Sequence, residues 1–160
     1  MTAFPRPHCQ PPASRLTGLP ALDARLIRQL RLWALGASGT ARVATELAAC
    51  LGPTRAARVM QLWAELMDIF ERFGHRPLDI LAPETEGVSA DEAGFARLVA
   101  LAAEGNREDA MFAALMMVRA DLSPIVTSLA TQVGLSVRQA LLLDDAALRN
   151  ATHSGVTQLH

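Results

Sequence analysis

The chain has 160 residues, with 15 basic and 16 acidic side chains, a formal net charge of −1, 51% hydrophobic and 4% aromatic residues. One domain is the default at this length, and abundant alanine and leucine with so few aromatics favour helices over a sandwich or barrel. Every basic side chain is arginine and tyrosine is absent, which excludes a Schiff-base lysine, a phosphate loop completed by lysine, and tyrosine as acid or nucleophile.

The charge is unevenly placed. Residues 1–60 hold eight arginines against Asp23 and Glu46, whereas residues 61–160 hold seven arginines against fourteen acids. Mutual neutralisation inside one fold is the plain reading, and a nucleic acid or an oppositely charged partner is the other. Cys9 and Cys50 cannot supply a disulfide framework or a four-cysteine zinc site. Cys50 is expected as a buried thiol and Cys9 as a free one. Neither the apolar core of a secretion signal nor a bilayer-spanning run is present, so a cytoplasmic location away from membranes is expected.

In chain order, Pro5, Pro7, Pro11 and Pro12 make residues 1–18 a disordered arm. His8 beside Cys9 is too sparse for a metal site. Pro20 suits a helix start, and Leu22, Leu26, Leu30 and Trp33 form its apolar stripe to a stop at Gly36. Arg25, Arg28 and Arg31 line another face, where they suit either solvent or a partner. The turn through Gly36 and Gly39, with Arg42 nearby, is a weak anion-binding signal before a second helix carrying Val43, Leu47 and Leu51. Gly52 and Pro53 restart the chain as a longer helix to Phe73, with Ala56, Val59, Trp63, Leu66 and Phe70 on its stripe.

Residues 74–88 contain Pro77 and Pro83 and form the longest expected connection. Long ordered loops often carry function, so His75, Arg76 and Asp79 are the weak candidates for a small-molecule site, although they lack ligand or triad spacing. Ser89 and Glu92 have the spacing of a capping box, followed by Phe95, Leu98, Val99 and Ala102 at helical steps. Gly105 and Asn106 separate this helix from the next. Residues 110–118 then lack any polar face, which predicts a central helix dry on all sides. Ser123 and Pro124 open another helix that Gly134 is expected to end, and Ser136 with Gln139 is expected to cap a last one through Leu148. Its run of Ala140, Leu141, Leu142 and Leu143 cannot all face one core, which marks Leu141 and Leu142 as an intermolecular contact. Residues 150–160 read as a disordered tail.

Two stretches are similar to a DNA-binding helix-turn-helix. Residues 129–143 place Ala130, Gly134, Ala140 and Leu143 where that motif wants a small residue, a turn and packing residues, with Arg138 facing outward. Residues 40–66 have the better charge, in Arg42, Arg55 and Arg58, but put Arg58 and Gln61 where the motif is apolar. No hydrolase elbow, zinc-protease pair, dinucleotide glycine loop or cysteine-histidine cluster occurs, which argues against an enzyme and implies no cofactor or metal. Residues 89–124 (SADEAGFARLVALAAEGNREDAMFAALMMVRADLSP) resemble the best-marked segment of a group of small, uncharacterised all-helical proteins from alphaproteobacteria. That resemblance implies a helical domain and no activity or site.

The expectation is therefore an all-α, single-domain bundle of about seven helices over residues 19–149. Its expected role is a non-enzymatic protein-interaction or self-associating module, using Leu141, Leu142 and the face of Arg25, Arg28 and Arg31. The alternative is a helix-turn-helix regulator contacting DNA through Arg42, Arg55, Arg58 and Arg138.

Overall fold

The computed structural model describes residues 14–156, and residues 1–13, with His8 and Cys9, lie outside the described part, as does His160. Six α-helices account for most of it: α1 (Ala21–Ala34), α2 (Ala37–Leu51), α3 (Pro53–Phe73), α4 (Ala90–Ala103), α5 (Arg107–Leu115) and α6 (Ser123–Val156). Among the described residues there is no named strand, and no helix is long and apolar enough to cross a membrane.

Helices α1 to α3 follow the predicted stripes. Leu26, Leu30, Val43, Leu47, Ala56, Val59, Trp63 and Leu66 are all buried, while Gly52 makes the α2–α3 turn at φ 82° and Pro53 takes the first turn of α3. That backbone angle belongs to the left-handed region glycine enters without a steric penalty. Trp63 sits at the centre, stacked on Trp33 at 5.9 Å and tilted against Phe95 at 5.5 Å. The capping box opening α4 is present: Ser89 Oγ accepts the Glu92 amide N–H, and the Glu92 carboxylate accepts the Ser89 N–H.

The central helix is α4, and this corrects the expectation for residues 110–118. In α4, Phe95, Ala96 and every residue from Leu98 to Ala103 are buried. In the 110–118 run only Ala110, Ala114 and Val118 are buried, one face at steps of four, whereas Phe112 and Met116 are 67% and 81% exposed. Helix α5 ends at Leu115 and packs on α4 and α6, with Ala110 and Ala114 its buried residues. The apolar run has two faces after all: Ala110, Ala114 and Val118 face the core, Met117 packs at its edge, and Phe112 and Met116 face water.

The count of seven helices becomes six because Gly134 does not end a helix. α6 runs unbroken through it, and a Cβ there would lie 2.7 Å from the Ala103 Cβ and 2.8 Å from the Val99 carbonyl oxygen. Glycine at this position lets α6 cross α4 in close contact. Ser136 consequently caps nothing: its hydroxyl donates to the Gln132 carbonyl one turn back. α6 also continues through Asn150 to Val156, where a tail was expected. At the other end, residues 14–18 belong to the fold: Leu16 is buried within a single 3-10 turn, and Arg15 bridges Gly87.

Candidate functional site

Four residues on one face of α1, Arg25, Arg28, Gln29 and Leu32, stand at steps of three and four and meet a matching stripe of Arg42, Glu46, Ala49 and Cys50 on α2. Pro83 of the connecting loop and Asp144 of α6 close the space between them. The result is a cavity of about 500 Å³, half open to solvent. It gathers three arginines from the basic first third of the chain with only two carboxylates.

Its polar groups divide into satisfied and unsatisfied ones. Arg25 Nη1 donates to Asp144 Oδ2 at 2.6 Å and Cys50 Sγ donates to Asp144 Oδ1 at 2.9 Å. The Cys50 and Arg25 bonds together hold the Asp144 carboxyl below the usual carboxylate range. Burial, then the neighbouring carboxylate, pushes the Cys50 thiol up, so Cys50 is a thiol at neutral pH and a poor nucleophile. It is half-buried at the cavity wall, where a core position was expected. By contrast, Gln29 is 1% exposed with neither amide atom bonded, and the buried Arg25 Nε is also without a partner. Arg28 and Arg42 are exposed and make no ion pair among the described residues.

The predicted arginine face is split by the fold. Arg25 and Arg28 reach the cavity, but Arg31 does not face a partner: it is wholly buried and bound to Glu92, Nε to Oε1 at 2.7 Å and Nη2 to Oε2 at 2.9 Å. Its Nη1 and Nη2 also donate to the Thr85 and Gly87 carbonyls, and Glu92 accepts from the Leu81 and Ser89 N–H groups. The pair thus pins the 74–88 loop between α1 and α4. A stripe argument shows the signal that was missed: Arg31 lies four residues after Ile27 and seven after Ala24, both buried.

His75, Arg76 and Asp79 are exposed and converge on no cavity. Their groups tie the loop down instead: Arg76 pairs with Asp91 through both terminal nitrogens, the Asp79 N–H donates to the same carboxylate, and the His75 ring lies 3.0 Å from the Leu115 carbonyl. Among the described residues no cluster of three or more His, Cys, Asp or Glu has metal-binding geometry.

The four arginines proposed for DNA are distributed over three settings. Arg42 lines the α1–α2 cavity; Arg55 and Arg58 line a separate groove of about 340 Å³ between α3 and α6, with Arg55 donating to Gln139. Arg138 donates to the Ala103 carbonyl at the end of α4. The 129–143 helix-turn-helix has no turn, because α6 is continuous there. The 40–66 pair does exist as α2, Gly52 and α3, with α3 packed along α6.

Of the predicted contact pair, Leu142 is 62% exposed and Leu141 half-buried, with Leu143 exposed beside them; Ala140 is in the core. From Ala147 to His153 every residue of α6 is exposed, including Leu148 at 66%. Compared with family models, curated proteins and solved structures, the chain matches none.

Proposed function

We propose that this chain is a non-enzymatic interaction module that self-associates through the distal part of α6. The observation carrying the reading is that the helix continues for about two turns beyond Ala146, its last half-buried side chain, and keeps Leu148 in water there, with Leu142 and Leu143 exposed just before. An isolated helical segment of that length is marginal without a packed face. Leu142, Asp145, Leu148 and Arg149 fall within one stripe at steps of three and four. A two-fold related copy laid antiparallel about Ala147 sets Asp145 of each helix against Arg149 of the other and brings the two Leu148 side chains beside the axis, with Leu142 of each helix flanking Thr152 of the other, the self-complementary geometry of an isologous dimer.

Sedimentation of the full chain over a range of concentrations tests this. The expected result is a monomer–dimer equilibrium that Leu142→Glu with Leu148→Glu shifts to monomer without lowering helical content. A chain that stays monomeric at the highest concentration, or a dimer indifferent to both substitutions, would remove the proposal.

A further inference from the structure

The cavity between α1 and α2 is independent of the α6 leucines and poses a separate chemical question. Buried polar side-chain atoms in native proteins nearly always have a partner, yet Gln29, which lines this cavity, carries a buried amide with no partner at either end among the described residues. A carboxamide presents a donor and an acceptor side by side. A fully ionised anion such as sulfate offers acceptors only and leaves Gln29 Oε1 unsatisfied, and hydrogenphosphate carries a rotating hydroxyl but no planar edge that holds a donor beside an acceptor. The complementary partner is an edge with a donor adjacent to an acceptor, as on a nucleobase, which glutamine recognises with two hydrogen bonds. Beside it, Arg28 one residue earlier and Arg42 across the cavity are guanidinium groups with no carboxylate attached among the described residues, where Arg25, held by Asp144, also leaves its buried Nε over. Guanidinium groups match phosphate oxygens in geometry and charge. The volume of about 500 Å³ lies within the range usual for small-molecule sites.

We propose that this cavity binds a nucleoside monophosphate, with the phosphate between Arg28 and Arg42 and the base edge on the Gln29 amide. Among the described residues Glu46 and Asp144 are the acids that line it, and Asp144 is already neutralised by Arg25, so the open part of the cavity favours an anion. The Cys50–Asp144–Arg25 chain fixes the wall behind the ligand and takes no part in chemistry.

Calorimetric titration of the full chain with AMP, GMP, CMP and UMP, and with inorganic phosphate, tests the assignment. At least one nucleotide is expected to bind more tightly than phosphate. Arg28→Ala with Arg42→Ala, both exposed, is expected to weaken it about tenfold or more while the chain stays folded. Gln29→Met is expected to remove the preference for nucleotide over phosphate, and its ligand-free form to melt no lower than the parent, since an unpaired buried amide is gone. Three results each overturn the proposal: no heat with any of the four nucleotides, nucleotide binding unchanged in the double arginine variant, or phosphate binding as tightly as every nucleotide.

Discussion

A single buried ion pair connects most of what is irregular in this chain to what is regular. Arg31 and Glu92 have both side chains fully excluded from water and pair with two bonds, and between them they satisfy two loop carbonyls and two loop amides. Desolvation of two such charges is recovered only when the geometry is this complete, and removing one partner strands the other. Arg31→Met is therefore expected to destabilise the fold by about 3–5 kcal/mol in urea denaturation. Replacing both partners by apolar residues should not restore the loss, because the Thr85 and Gly87 carbonyls would remain unpaired; full recovery would show that the loop is indifferent to the pair. Although burial raises the Glu92 carboxyl, its bonds to Arg31 and to the Ser89 and Leu81 amides outweigh this and leave it below its ordinary value of 4.5. With the folded value depressed, the contribution is complete above the unfolded value and is lost as pH falls through the folded one. Asp91, bonded to Arg76, and Asp144, bonded to Cys50 and Arg25, act in the same direction. Melting temperature should hold between pH 7 and about pH 5 and fall below that, less steeply in Glu92→Gln.

At the scale of the helix, Gly134 separates intrinsic preference from packing. Alanine is a better helix former than glycine by about 1 kcal/mol, so an isolated α6 would gain from Gly134→Ala. In the folded chain the added methyl meets the Val99 carbonyl and the Ala103 methyl below 3 Å, and the helices must part. Overpacking of this kind costs about 1–3 kcal/mol, and a net loss of stability is the expected sign in thermal unfolding. A more stable Gly134→Ala would mean that α4 and α6 do not approach as described. The same contact explains why residues 129–143 imitate a helix-turn-helix. A small residue and a glycine at those spacings serve a turn in one setting and a close crossing in another, and the residues alone do not distinguish them. α4 and α5 show the complementary ambiguity: the apolar run 110–118 fitted a central helix, yet α4 is the buried one and the run keeps Phe112 and Met116 in water.

For the whole molecule, the opposite charges of the two parts of the chain are joined internally at Arg25–Asp144 and Arg31–Glu92, each linking the first 60 residues to the remainder. Arg28 and Arg42, two of the arginines that make no ion pair among the described residues, stand at a cavity that is also lined by Gln29, whose amide is unpaired there. The distal helix gives a prediction at this scale. Ending the chain after Ala146 removes only exposed residues of α6 among those whose burial is described, so cooperative unfolding should survive with a small change in melting temperature. Self-association should be lost; loss of the fold instead would mean that this segment holds the core together.

The sequence by itself determined the helical class, the extents of α1 to α3, the Ser89–Glu92 cap and the break at Gly52 and Pro53. These are local properties, fixed by side-chain period, proline and glycine geometry, and hydrogen bonds spanning a few residues. Tertiary structure alone decided that α4 is central, that Arg31 is dry, that Gly134 is a crossing point, and that Arg25, Arg28, Gln29 and Arg42 share a cavity. Helical period orients each side chain about its own axis, but whether that direction meets water, a loop or another helix depends on where distant segments come to rest.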